Sequence, residues 1–202
     1  MTETKSKPTT SAPPPTRQRI LDASAELFRR QGYAGTGIKA VLAASHAPFG
    51  SLYHFFPGGK EDLGVAALQS GGETYRELVE LIFAPGVDVV TATRDFFRGA
   101  GAALEATDYA DACPIATVAL EIASTNEPMR AAAAAAFESW LAVLTTRLVE
   151  AGVRRARARA ISIELFCLVE GAFLLCRTTR DTTPMRVAGR AATATVATAL
   201  GH

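Results

Sequence analysis

Ile20, Leu21, Leu27 and Phe28 stand at offsets 0, 1, 7 and 8, which places them on one face of an α-helix. The pattern predicts a first helix from Thr16, a residue able to cap it, to about Gln31, with Gly32 ending it. Ile38, Val41 and Leu42 point inward from a short second helix at about 36–43, for which Thr36 is the expected cap. Ala44 to Ala47 reads as a turn. Pro48, at a position where a missing N–H costs nothing, begins a third short helix reaching about Phe55. Pro57, Gly58 and Gly59 break it, and Lys60 opens a longer fourth helix running toward Phe83. Beyond Pro85-Gly86, helices are predicted at about 88–106, 114–124, 127–151, 155–178 and 184–200. In the 127–151 segment Phe137, Leu141, Leu144 and Leu148 carry the helical period. Strict apolar–polar alternation is absent, so no strands are expected and the fold class is all-α.

The elements group into an N-terminal three-helix unit at 16–62 and a C-terminal helical unit at 63–202. They are preceded by a Pro-rich tail at 1–15 that reads as disordered. With 202 residues, 49% hydrophobic and 20% charged, the chain is long enough for a sizeable core and is unlike a wholly disordered one. The formal net charge of +1 does not by itself announce a nucleic-acid partner, but its distribution is uneven. Residues 16–70 hold six Lys/Arg against four Asp/Glu, whereas 71–202 hold thirteen against fifteen. Cys113, Cys167 and Cys176 form no CxxC pair, and the last two sit in an apolar run where buried, reduced thiols are expected. The N-terminus lacks an apolar signal-like segment. The most apolar run, Ile161 to Cys176, is interrupted by Glu164 and Glu170 and is too short to span a bilayer. A cytoplasmic protein without a membrane partner is the expectation.

Two short helices joined by a tight turn and buttressed by a preceding helix have the layout of a helix-turn-helix DNA reader. The second helix of such a pair lies in the major groove, so its inner face must be apolar and its outer face short or able to reach bases and phosphates. Leu52 and Phe56 suit the inside, while Ala47, Phe49, Ser51 and His54 suit the outside. Gly50 leaves room for close backbone approach.

The run Gly50-Ser51-Leu52-Tyr53-His54-Phe55-Phe56-Pro57-Gly58-Gly59-Lys60-Glu61-Asp62-Leu63 closely resembles the end of the DNA-binding domain of TetR-family regulators. Upstream, Ile20-Leu21-Asp22-Ala23, Ala25, Leu27-Phe28, Gly32-Tyr33 and Thr36 fit the same pattern. The stretches Ala112 to Glu121 and Phe137 to Gly152 are similar to the LmrA/YxaF-like branch of that family. The resemblance implies a homodimer, a double-stranded DNA operator and, as for most members, repression relieved by a small-molecule effector of hydrophobic, aromatic or drug-like character. It places Thr36, Ser51, Tyr53 and Lys60 at phosphates, and residues 47–51 with His54 at bases. The expected DNA-binding set is therefore Thr36, Lys39, Ala47, Pro48, Phe49, Gly50, Ser51, Tyr53, His54 and Lys60. Two positions depart from the branch: Phe49 stands where lysine is common, and Phe55 where histidine is common. Losing a cation at 49 removes a phosphate contact and flattens the salt dependence of binding, whereas an aromatic ring there can pack on a thymine methyl.

Candidate ligand-binding residues in the C-terminal unit are Phe96, Phe97, Tyr109, Cys113, Thr117, Glu121, Trp140 and Phe173, set among helices where a mostly apolar pocket with a few polar anchors can form. Glu121 stands out because a carboxylate inside an apolar helix needs a partner. For each of these residues, simple core filling is the competing reading. The last two helices match the family's dimer interface in position. Arg154, Arg155, Arg157 and Arg159 read as a solvated helix start, and Ala131 to Ala136 as a close-packing helical run. With His46, His54 and His202 alone, no zinc spacing exists, and Cys113-Pro114 lacks an activating neighbour. No paired carboxylates, triad or phosphate loop suggests an enzyme, and no cofactor is expected. The alternative is a helical ligand-sequestering protein or enzyme that has lost DNA binding, toward which only Phe49 leans.

Overall fold

The computed structural model describes residues 14–111 and 113–201, so residues 1–13 of the expected tail lie outside it. Helix α1 (Thr16–Gly35) follows an extended Pro15, which makes Thr16 its first helical residue and not its cap. Gly32 interrupts α1 with φ 77° and ψ 168°, a region open essentially to glycine alone, and one further turn follows. The chain continues through α2 (Ile38–Ser45), α3 (Phe49–Phe55), α4 (Lys60–Ile82), α5 (Val89–Ala106) and α6 (Pro114–Ile122). It ends with α7 (Glu127–Glu150), α8 (Arg155–Thr179) and α9 (Thr183–Ala199). No strand occurs among the described residues, and the all-α expectation holds.

The helix ends show where local pattern was insufficient. Gly37, not Thr36, occupies the cap position of α2. Thr36 is buried, and its hydroxyl donates to the Gly32 carbonyl at 2.7 Å, securing the kinked end of α1. The turn between α2 and α3 is His46–Pro48, shifted from the expected 44–47. His46 adopts φ 50° and its N–H bonds back to the Ala43 and Leu42 carbonyls, closing α2. Pro48 is the cap of α3 and lies just outside the helix. Later starts carry side-chain caps: Asp88 accepts from Thr91 N, Cys113 Sγ from Ala116 N, and Asn126 from Met129 N.

Two apolar clusters hold the helices together. The first joins α1–α4 to α6 and the front half of α7, through Ile20, Phe28, Leu52, Leu63, Ile115, Met129 and Trp140. The second joins the end of α4 and the back half of α7 to α5, α8 and α9, through Phe83, Phe97, Leu148, Leu165 and Met185. Helix α4 runs across the expected 62/63 boundary and takes part in both. Gly72 lets α4 lie against α7: a Cβ there would stand 2.7 Å from Ala136 Cβ. By length and composition α7, and not the Ile161–Cys176 run, is apolar enough to cross a membrane. Its alanines raise its hydropathy, and Trp140, Leu144 and Leu148 bury it in the two clusters. Of the two cysteines expected to be buried, Cys176 is, but Cys167 is exposed on the outer face of α8, because helical period turns it away from its neighbour in the run; Cys113 is buried as well.

Candidate nucleic-acid interface and ligand cavity

Helix α3 is held by its inner face. Leu52 and Phe56 are 0% and 2% exposed, packed on the first cluster as the inward positions require. Arg19 of α1 donates to the Ser45 carbonyl at 3.1 Å, placing a cation at the C-terminal end of α2, where the helix dipole favours one. The outer face of α3 carries an unusual feature: Phe49 and Tyr53 are 61% and 50% exposed, one turn apart, with ring centroids 6.2 Å from each other. Two large aromatic side chains left in water on a seven-residue helix mark a surface that awaits a partner. Pro48, Gly50, His54 and Lys39 are also exposed; a Cβ on Gly50 would meet nothing within 4 Å. Ser51 and Ala47 are half-buried, and Ala47 leans on the core. Lys60, the first residue of α4, is half-buried with its Nζ 4.3 Å above the Tyr33 ring. Thr36 is the exception in the expected set. Its hydroxyl is already spent on Gly32, so the structure does not present it to a phosphate.

A cavity of about 320 Å³ lies among α4, α5, α7 and α8. Four of the expected ligand residues, Phe96, Cys113, Trp140 and Phe173, meet in its wall. Trp140 is 2% exposed, stacks on Phe166 at 5.8 Å, and donates its Nε1 hydrogen to the Gly72 carbonyl at 2.7 Å.

The other four are elsewhere. Phe97 turns from its neighbour Phe96 and packs on Gly189 of α9. The Tyr109 ring lies under Arg180, and its carbonyl accepts from Arg177. The Thr117 hydroxyl bonds back to the Cys113 carbonyl at 3.0 Å. Glu121, assumed to be inside, is exposed at the end of α6, where its carboxylate accepts from Tyr33 N at 3.0 Å and Ala34 N at 2.7 Å. It did need a partner, but found one across the molecule, in amides that the Gly32 kink turns out of α1.

Sequence reasoning missed Tyr75, Asp111, Phe166 and Glu170 in the cavity wall. Glu170 had a signal, since it interrupts an apolar run; Phe166 lies one turn before it. Burial pushes the Glu170 carboxyl up to about 6, while a hydrogen bond from the Cys113 thiol pulls the other way. Burial and the neighbouring carboxylate hold the Cys113 thiol well above its ordinary value, so it is a protonated donor and not a nucleophile. An acid raised in the fold gives stability that is full below its unfolded value and lost as pH rises through about 6. Replacing Glu170 by Gln is therefore expected to stabilise the unliganded protein at pH 8 by up to about 2 kcal/mol, with the gain vanishing by pH 4. Urea melts across that range check it.

Residues 20–67 match the family described as bacterial regulatory proteins of the tetR type, and residues 89–191 match the C-terminal domain of LmrA/YxaF-like transcriptional regulators. The chain is 33% identical over 169 residues to the HTH-type transcriptional regulator YxaF of Bacillus subtilis, covering 84% of this chain and 88% of that protein. It is 32% identical over 169 residues to LmrA of the same organism, covering 84% and 90%. Its fold matches a TetR transcriptional regulator from Legionella pneumophila with a TM-score of 0.81, 23% identity, and coverage of 92% of this chain and 99% of that one. The chain is thus a helix-turn-helix transcriptional regulator and belongs to the TetR family, in its LmrA/YxaF-like branch.

Proposed function

We propose that the protein is a homodimeric repressor that leaves a palindromic operator when a small, largely apolar effector enters the cavity among α4, α5, α7 and α8. The observation that carries this reading is a physical tie between cavity and reading head. Asp111 lines the cavity and ion-pairs with Arg29 of α1. Cys113, also in the wall, caps α6, whose far end carries Glu121 on the Tyr33 and Ala34 amides. A ligand that displaces the cavity wall therefore acts on α1, which supports α2 and α3. Its leverage equals its differential affinity for the two states, ~1.4 kcal/mol per tenfold.

Dimerisation is supported by α8. Ile163, Cys167, Gly171 and Leu174 form an exposed, mostly apolar stripe on its outer face, with Leu175 beside it. Pairing along α8 and α9 sets two α3 helices against successive major grooves ~34 Å apart. Selection of genomic fragments by the purified protein tests the reading: a palindrome with half-sites one turn apart is expected, and recovery of unrelated sequences overturns it.

Phe49, Pro48, Gly50, Ser51 and His54 face the bases in this arrangement, with Tyr53, Lys39 and Lys60 at the backbone. Phe49→Lys is expected to steepen the log–log salt dependence of operator binding by about 0.9 per added phosphate contact, hence nearly 2 per dimer. An unchanged slope would place residue 49 away from the phosphates. With Phe49 kept, exchanging the thymine beneath it is expected to weaken binding; equal affinity for the altered operator rules out that contact.

A further inference from the structure

The cavity has an electrostatic imbalance. Its wall is aromatic at Tyr75, Phe96, Trp140, Phe166 and Phe173, and two carboxylates, Asp111 and Glu170, stand among them. Asp111 is matched by Arg29. Glu170, on α8, forms no ion pair among the described residues; its polar neighbour is the Cys113 thiol at the start of α6. The titratable groups facing it are Cys113, Tyr75 from α4, and Asp111 with its Arg29 partner, while α5 and α7 present Phe96 and Trp140. Glu170 is thus a carboxylate without a counter-charge in an aromatic chamber. Burying an unpaired anion is costly, and aromatic faces carry negative charge that attracts cations. A cation with an apolar body satisfies the carboxylate and the rings together; a neutral ligand satisfies only the rings, and an anion is repelled.

We propose that the ligand of this cavity is a small organic monocation, a quaternary or protonated amine on an aromatic body, with its charge set against Glu170 and its body packed on Trp140 and Phe166. This rests on the cavity being the effector site and narrows what that effector is. A volume of about 320 Å³ suits a ligand of one or two rings. The raised Glu170 value of about 6 marks a carboxylate that lacks compensation. A bound cation favours its ionised form, so a permanently charged ligand binds best above pH 6 and loses affinity as the carboxyl protonates below it.

Trp140 is the single tryptophan of the chain and sits in the cavity wall, so its fluorescence reports occupancy. The full chain, without DNA, is titrated with phenyltrimethylammonium and with its uncharged isostere tert-butylbenzene at pH 5 to 8, in the wild type, Glu170→Gln and Glu170→Asp. For the cation, Glu170→Gln is expected to weaken binding at least tenfold, and Glu170→Asp to retain most of it. The wild type is expected to lose several-fold affinity for the cation between pH 7.5 and 5. Affinity for the isostere stays within twofold throughout. Binding of the isostere alone, or cation binding indifferent to both Glu170→Gln and pH, overturns the proposal while leaving the effector cavity standing. Binding of neither probe overturns the cavity reading as well. The pH series on the wild type decides the matter even if a variant does not fold.

Discussion

Trp140→Ala is expected to destabilise the protein by about 3–5 kcal/mol, the cost of emptying a large buried aromatic site. In a chain of this size that lowers the melting temperature by roughly 10 °C. The expectation rests on position. Trp140 is 2% exposed, touches Phe166 by stacking and Phe137 edge-on at 5.3 Å, and lies 5.9 Å from Tyr75. Its Nε1–H bond to Gly72 crosses the α4–α7 contact at the point where only a glycine lets the two helices approach. The ring therefore serves both apolar clusters: it belongs to the first, and its partner Phe166 also packs on the second. Trp140→Phe keeps most of the packing and loses the one hydrogen bond, so it should cost far less. Thermal and urea melts of the pair measure the difference. A loss below about 1 kcal/mol for the alanine variant would mean that the surrounding helices close over the vacated space at little cost.

Gly32→Ala is the second large effect. At φ 77° and ψ 168° a side chain strains the backbone by about 1–3 kcal/mol. The added methyl would also overlap Glu121 Oε1, so the carboxylate must leave and the Tyr33 and Ala34 amides lose their acceptor. Hydrogen bonds to a charged group contribute roughly 1.5–3 kcal/mol, less here because Glu121 is exposed. Glu121→Ala alone forfeits only that second part. In the double variant the methyl has no carboxylate to displace, so the two losses should sum to more than the double variant shows. Additive losses would indicate that Gly32 and Glu121 act independently. If the cavity and the reading head communicate through this clasp, Glu121→Ala also narrows the difference in operator affinity between the liganded and unliganded protein.

Most of the helices were legible in the sequence because their causes are local. The period of Ile20, Leu21, Leu27 and Phe28, the breaks at Pro57-Gly58-Gly59 and Pro85-Gly86, and the proline starts at 114 and 184 each act within a turn or two. Leu52 and Phe56 could be assigned to the inside of α3 for the same reason. Most of the DNA-binding set expected from the resemblance lies on an exposed face. Thr36 does not, because the Gly32 kink offers its hydroxyl a carbonyl four residues back before any phosphate arrives.

The cavity was legible only in fragments. Phe96, Cys113, Trp140 and Phe173 meet there, while Phe97, adjacent to Phe96, faces α9, since neighbours on a helix point about 100° apart. Composition shows that aromatic residues are present but not which way each one turns. Glu121 and Glu170 show the division most clearly. Both stand as carboxylates in apolar helices, but the sequence marked only Glu121 as needing a partner and Glu170 only as a break in an apolar run. Glu121 found two amides 88 and 87 residues away, at the surface; Glu170 lies in the cavity wall with the Cys113 thiol beside it. The sequence alone determined which segments are helical, where they break, and that a helix-turn-helix reader leads a helical unit, because these follow from periodicity and from glycine and proline chemistry. The tertiary structure alone decided which carboxylate is satisfied and which is left facing a cavity, because long-range packing sets each side chain's neighbours and no local pattern encodes them.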